Sequence, residues 1–401
     1  MTSAGARPTP AERAAVASET VFARYARLAV RTGAVNLGQG FPDDPPARRV
    51  LEALDRARGG GHQYAPMPGL PALRYALAGV EASRHGRRLD PDREIQVTVG
   101  ATEGLFAALA ALVDPGDEVL VVEPCYDAYP AMIRLAGGVA VGVPMDVDAA
   151  GRWSLDPDRV AAAVTPRTRV MLLNDPHNPT GAVLPADVVA ALADVARGAG
   201  LVIVTDDVYA QLAFVPTTPI APHAPERTLV VGSAGKTFGV TGWKVGWVTG
   251  PEDLVAAVRA VHQWVTFAVA TPLQHAVADL LAEVGDGGAV DALLAGQRTA
   301  LGTRRDALAD GLRGAGLAPT RADAGYFLFA DATRWAPAAR FADDRALCDA
   351  LPEVAGVVAI PGSAFRLTPR TDDARWLRFA FCRGDATVHE GIRRLQAAPH
   401  P

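Results

Sequence analysis

Six short apolar runs constrain this chain more tightly than any other feature: IQVTVG (95–100), EVLVVEP (118–124), VAVGVPM (139–145), RVMLLND (169–175), LVIVTDD (201–207) and TLVVGS (228–233). Each is short and mostly rich in β-branched residues, so each reads as a strand. Stretches rich in Ala and Leu separate several of them, among them ATEGLFAALAALV (101–113) and LPADVVAALADVARGAG (184–200). The second carries proline near its start and glycine at its end, the expected punctuation of a helix. Strands that are apolar throughout, rather than alternating, must be covered on both faces. That predicts an α/β fold with a mostly parallel central sheet. After a helix over PEDLVAAVRAVHQWV (251–265) the rhythm changes to a long helical stretch over roughly 290–315 and isolated strands YFLFAD (326–331), VVAIPG (357–362) and WLRFAF (376–381). The expected division is a large unit over 41–289, with an N-terminal arm (1–40) and a smaller α+β unit (290–401).

Composition narrows the function classes. A net charge of −5 with no Lys/Arg-rich block argues against nucleic acid as a partner. The longest apolar run, GLFAALAALV (104–113), is too short to span a bilayer, so no membrane association is expected. Cys125, Cys348 and Cys382 stand far apart with no CxxC pair, which suits a reducing compartment. The first twenty residues hold no apolar core of a secretory signal, and the expectation is a cytoplasmic protein.

In open α/β sheets the site lies beyond the carboxyl ends of the strands, so the residues following each run carry the functional reading. IQVTV leads into Gly100, Ala101 and Thr102, a helix start whose free N–H groups suit a phosphate. VLVV leads to EPCYDAY with Tyr126, an aromatic able to cover a flat ligand. VMLLN leads to DPHNPTG with Asn178, LVIVT to Asp206, Asp207 and Tyr209, and TLVVG to Ser233, Lys236 and Lys244. The two lysines lie in SAGKTFGVTGWKVGW, which contains no acidic residue to pair with them. An amine, a carboxylate and a phosphate clamp converging on one sheet edge describe a site for pyridoxal 5'-phosphate.

With these motifs in place, the chain resembles the fold type I pyridoxal-phosphate aminotransferases. Within them it is similar to the kynurenine/glutamine/methionine aminotransferase group and to bacterial N-succinyldiaminopimelate aminotransferase. The matching motifs run from VNLGQGFPD (35–43) and HQYAPMPG (62–69) through VTVGATEG, EPCYDAY, NDPHNPTG, TDDVY and SAGKTFGVTGWKVGW to GYFLFAD, AIPGSAF and RFAFCR. The resemblance implies that Lys236 carries the cofactor in imine linkage and then acts as the base. It implies that Lys244, Ser233, Ala101 and Thr102 bind the phosphate, and that Asp206 faces the pyridine nitrogen. Tyr209 and Asn178 then hold the phenolic oxygen, and Tyr126 stacks on the ring. Arg378, with Gly40 and Asn178, takes the substrate carboxylate, and Phe22 and Tyr64 line the pocket. Tyr64 is expected from the neighbouring subunit of a homodimer.

The implied reaction moves the amino group of an L-amino acid to a 2-oxo acid by a ping-pong route. The alternative is a cysteine-conjugate β-lyase, which needs no oxo-acid acceptor. A regulator fused to a DNA-binding domain would need more than the roughly 35 residues that precede VNLGQG. Asp175 stands where relatives carry a small hydroxyl residue, and it is expected to face solvent. Asp207 replaces the usual glutamate and is expected to point away from the site, and His177 to lie behind it.

Overall fold

Three of the apolar runs are buried along their whole length. We label the strands of the two main sheets β1 (Ile95–Thr98), β2 (Glu118–Glu123), β3 (Val139–Pro144), β4 (Thr168–Asn174), β5 (Val202–Asp206), β6 (Thr228–Ser233), β7 (Gly246–Thr249), β8 (Ala318–Pro319), β9 (Phe327–Asp331), β10 (Ile360–Pro361) and β11 (Trp376–Ala380). No residue of β1, β2 or β11 is exposed or half-buried. The structure, a computed structural model, describes residues 9, 11–14, 19–367 and 375–398; most of the segment searched for a leader lies outside them.

The large sheet runs β1-β7-β6-β5-β4-β2-β3. β3, β2, β4, β5 and β6 are parallel, and β7 lies antiparallel between β6 and β1. Successive residues feed opposite faces. Leu120, Met171, Leu173 and Ile203 enter one core, while Val119, Val121, Val170, Leu172, Val204 and Val231 enter another beneath the helices Gly100–Leu112 and Glu252–Val265. Coverage of both faces is what continuous apolar strands demand. β7 was not among the strands expected from the sequence. It is four residues long and interrupted by Trp247, and its pairing comes from both neighbours rather than from its own pattern.

The small sheet runs β8-β9-β11-β10 and is antiparallel. VVAIPG, expected as one strand, divides: Ile360–Pro361 joins this sheet, whereas Val357–Val358 pairs in parallel with Val35–Asn36. That pairing, together with a hydrogen bond from Ala380 N–H to the Leu37 carbonyl, pins residues 35–37 and delivers Gly38–Gly40 to the large sheet's carboxyl edge. Among the described residues no helix is long and apolar enough to cross a membrane.

Candidate active site

Strand register brings the functional side chains together. Asn174 pairs with Asp206, and Gly246 pairs with both Ser233 and Thr98, so four strand ends and the start of β7 share one edge. The strand order reverses between β2 and β4, where open α/β sheets form a crevice. A cavity of about 300 Å³ lies there, and Phe22, Gly40, Ala101, Thr102, Tyr126, Asn178, Asp206, Tyr209, Ser233, Lys236, Lys244 and Arg378 all line it. Of the site residues expected from the sequence, only Tyr64 is missing from this wall.

Lys236 sits in a single helical turn, Ala234–Thr237, capped by Ser233, whose hydroxyl accepts the Gly235 N–H at 3.2 Å. Ala234 and Phe238 are buried on the opposite side, which turns the lysine into the cavity. Its Nζ donates to the Gly40 carbonyl at 3.3 Å and lies 5.4 Å and 5.3 Å from the ring centres of Tyr209 and Tyr326. No acid forms an ion pair with it among the described residues. Burial therefore pushes its pKa down to about 8. Gly40 has room for no side chain, since a Cβ there would stand 2.4 Å from the Phe327 ring.

Lys244 takes a left-handed backbone (φ 53°), uncommon for a non-glycine residue, and its Nζ donates to the Thr102 hydroxyl at 3.3 Å. This places an ammonium beside the amino end of helix Gly100–Leu112, where N–H groups point outward. β7 presses directly on that helix start. A Cβ on Gly246 would lie 2.6 Å from the Ala101 nitrogen, so only glycine lets the strand approach.

Asp206 is buried, and burial moves its pKa up to about 6 against a hydrogen bond that acts to lower it. That bond comes from the Tyr129 hydroxyl, 2.8 Å from Oδ2. Tyr129 packs edge-on to Tyr126 with ring centres 5.5 Å apart, so one short helix supplies both the aromatic wall and the donor that orients the carboxylate. Asn174 donates to the Asp206 carbonyl at 2.7 Å and accepts the Asn178 N–H at 2.7 Å, tying two site residues together through their backbones. Sequence reasoning missed both Tyr129 and Asn174. EPCYDAY and NDPHNPTG contain them, but nothing in either motif marks their long-range partners.

Arg378 is 1% exposed. Its guanidinium lies 3.8, 4.6 and 4.9 Å from the ring centres of Phe327, Phe365 and Phe22. It donates to Asn178 Oδ1 at 3.2 Å and to the Gly38 carbonyl at 3.0 Å, leaving Nε buried without a partner. A planar cation held by rings, with donors to spare, is suited to a carboxylate fork.

Three residues lie outside the cavity. His177 accepts or donates at Thr180 Oγ1 (2.7 Å) and is buried, which depresses its pKa to about 3. Asp207 receives the Thr205 hydroxyl at 2.5 Å. Asp175 does not face open solvent as expected: the chain folds back so that its carboxylate accepts the Leu184 N–H at 3.0 Å, in a small apolar recess with Leu173, Val189 and Ile220. Burial there lifts its pKa to about 7. Tyr64 is 85% exposed and packs edge-on against Phe267, away from its own chain's cavity.

Two lysines in one cavity with no carboxylate to pair need another explanation. An aldehyde-bearing phosphate ester uses both, one by covalent capture and one by charge. The orphaned Nε of Arg378 and the glycine-lined helix start fit such a ligand with an amino-acid partner. These are the demands of a pyridoxal-phosphate enzyme. The family model for aminotransferase class I and II matches residues 32–395. A probable N-succinyldiaminopimelate aminotransferase of Mycobacterium tuberculosis is 45% identical over 94% of this chain and 95% of its own. The methionine aminotransferase of Escherichia coli is 36% identical over 94% and 95%. The solved structure of N-succinyldiaminopimelate aminotransferase from Mycobacterium tuberculosis superposes with a TM-score of 0.90 at 44% identity, covering 97% of this chain and 99% of that one. The chain belongs to the aminotransferase class I and II family. It has the fold type I architecture, depends on pyridoxal phosphate and transfers amino groups, and the β-lyase alternative is not favoured.

Proposed function

We propose that the cavity carries out transamination between an L-amino acid and a 2-oxo acid with the following division of labour. The observation that carries it is Lys236: a buried amine, unpaired by any acid among the described residues, that shares its cavity with Asp206, Asn178, Tyr209, Lys244 and Arg378. When bound, pyridoxal phosphate supplies a sink for the electrons left at the substrate Cα. Lys244, Ser233 and the amides of Ala101 and Thr102 hold the phosphate. Asp206, kept in one orientation by Tyr129, faces the pyridine nitrogen and keeps a proton there. Tyr209 and Asn178 hydrogen-bond the phenolic oxygen, and Tyr126 covers one ring face. Arg378 takes the substrate carboxylate, with Gly40 and Phe22 bounding the space beside it. Lys236, once displaced by the incoming amine, moves the proton at Cα.

The test is a half-reaction. Amino donor alone should convert bound cofactor to its amine form, and a 2-oxo acid alone should restore it. Borohydride reduction of the resting enzyme should fix a phosphopyridoxyl group on the peptide carrying Lys236. Label on Lys244, or none, overturns the assignment. A panel of donors, including N-succinyldiaminopimelate, methionine and kynurenine, then ranks the substrates that the relatives suggest.

The working unit we propose is a homodimer in the cytoplasm, each chain divided into 41–289 and 1–40 plus 290–401. Tyr64 supports a dimer: it is exposed beside Phe267 (46% exposed), near Trp264 (83%) and Val265 (51%), a large aromatic face for a soluble surface. A partner seated there would bring Tyr64 to a site it does not reach in its own chain. Sedimentation at assay dilution should show a dimer; a fully active monomer contradicts the shared site.

A further inference from the structure

The helix that begins the anion cradle has no side-chain cap of the usual kind. Its N-cap residue is Val99, which has no side-chain acceptor to offer. Glu103, in the first turn, reaches back instead and accepts the Val99 N–H through Oε2 at 2.5 Å. Its other oxygen accepts from the Thr266 hydroxyl at 2.6 Å and lies 2.7 Å from His262 Nδ1. Glu103 is 8% exposed and His262 is fully buried. A carboxylate this enclosed survives because donors surround it and the helix start favours negative charge. Although burial works to raise its pKa, those hydrogen bonds bring it below the usual range.

His262 and Thr266 belong to the end of the helix Glu252–Val265. The His262 carbonyl accepts both the Thr266 and Phe267 N–H groups at 3.1 Å, closing the turn in which Phe267 takes φ 65°. Glu103 therefore grips two things at once: the residue from which the cradle helix starts, and a turn nearly 170 residues away in the chain. It does not line the cavity, so it makes no contact with a ligand there. The Thr98 hydroxyl, which donates to the Gly100 carbonyl at 3.0 Å, is the other side chain that holds this segment.

We propose that Glu103 is a positioning residue for the cofactor phosphate: its hold on Val99, braced by His262 and Thr266, fixes where the amides of Ala101 and Thr102 point. The proposal rests on the cradle reading given above. Glutamine at 103 keeps the size but turns one acceptor into a donor, so one of the three N–H or O–H groups now served is left facing another donor. Displacement of the helix start then weakens contacts to a phosphate and leaves the aldehyde's capture by Lys236 untouched.

The experiment compares the affinities of the stripped protein for pyridoxal 5'-phosphate and for pyridoxal, which lacks the phosphate. Wild type should favour the phosphate ester strongly; if it does not, the cradle reading itself fails. Given that preference, Glu103→Gln should lower affinity for the ester by about tenfold or more while changing that for pyridoxal little. Thr266→Val, a milder change that leaves the Val99 bond in place, should lower the ester's affinity about threefold with the same selectivity. If Glu103→Gln does not fold, Thr266→Val decides the matter. Equal losses for both ligands, or no loss for either, would show that Glu103 holds the fold alone and overturn the proposal.

Discussion

Replacing Lys236 with alanine is expected to lower the rate of both half-reactions by about 10⁴-fold or more. A positioned general base contributes on the order of 10²–10⁴, and this lysine also makes the covalent attachment. Burial is what fits it to both tasks. With its pKa lowered to about 8 from the ordinary 10.5, roughly a tenth of the amine is neutral at pH 7, against less than one part in a thousand at the ordinary value. The sign of the pH dependence follows. The neutral amine is the nucleophile, so the rate at which stripped protein captures the cofactor should rise with pH and level off above about 8. Lys236→Ala should show no such rise, and a small external amine should restore part of its activity. Lys236→Arg keeps the charge, offers no neutral amine and fills the space, so the same amine should restore nothing. A Lys236→Ala protein that performs half-reactions at the wild-type rate would remove the lysine from the mechanism.

Which parts of this site the sequence announces depends on how far apart the interacting groups lie in the chain. The strands of the large sheet were legible because full burial on two faces leaves a continuous apolar run, as in Val119–Val122 and Val170–Leu173. The site residues were legible because a parallel sheet puts the residues after its strands at one edge, and Asp206, Asn178 and Ser233 follow β5, β4 and β6 directly. What stayed hidden depends on tertiary contact. Tyr129 meets Asp206 across 77 positions, and Asn174 meets it across 32. A tyrosine in a helix reads as core until its partner is seen. β7 escaped notice because Gly246 and Trp247 are selected by what lies against them, the Ala101 backbone and both neighbouring strands, and not by a strand's own pattern. Asp175 was misjudged for a related reason. A polar residue in a proline-rich loop suggests solvent, but the loop returns on itself and Leu184 N–H meets the carboxylate.

Arg378→Ala separates binding of the substrate from binding of the cofactor. The arginine touches Asn178, the Gly38 carbonyl and three aromatic rings, and none of the groups proposed to hold the phosphate or the pyridine nitrogen. Cofactor should therefore stay bound and the protein should keep its colour. Hydrogen bonds to a charged group contribute roughly 1.5–3 kcal/mol each, so losing a two-pronged contact to the α-carboxylate should cost about 3–5 kcal/mol in transition-state binding. At about 1.4 kcal/mol per decade, that is a hundred- to several-thousand-fold fall in kcat/KM for α-amino acids. Amines without a carboxylate never used the contact and should lose little. Because the guanidinium also fills a cage between Phe22, Phe327 and Phe365, alanine leaves a void whose collapse could by itself perturb the site. Arg378→Lys controls for this: its stem keeps most of the packing and its ammonium keeps the charge, but it cannot present two parallel donors. Both variants should lose efficiency for α-amino acids, the lysine variant less, with cofactor affinity unchanged in each. Loss of cofactor with normal efficiency for amino acids would make Arg378 a structural residue and move the carboxylate site elsewhere in the cavity.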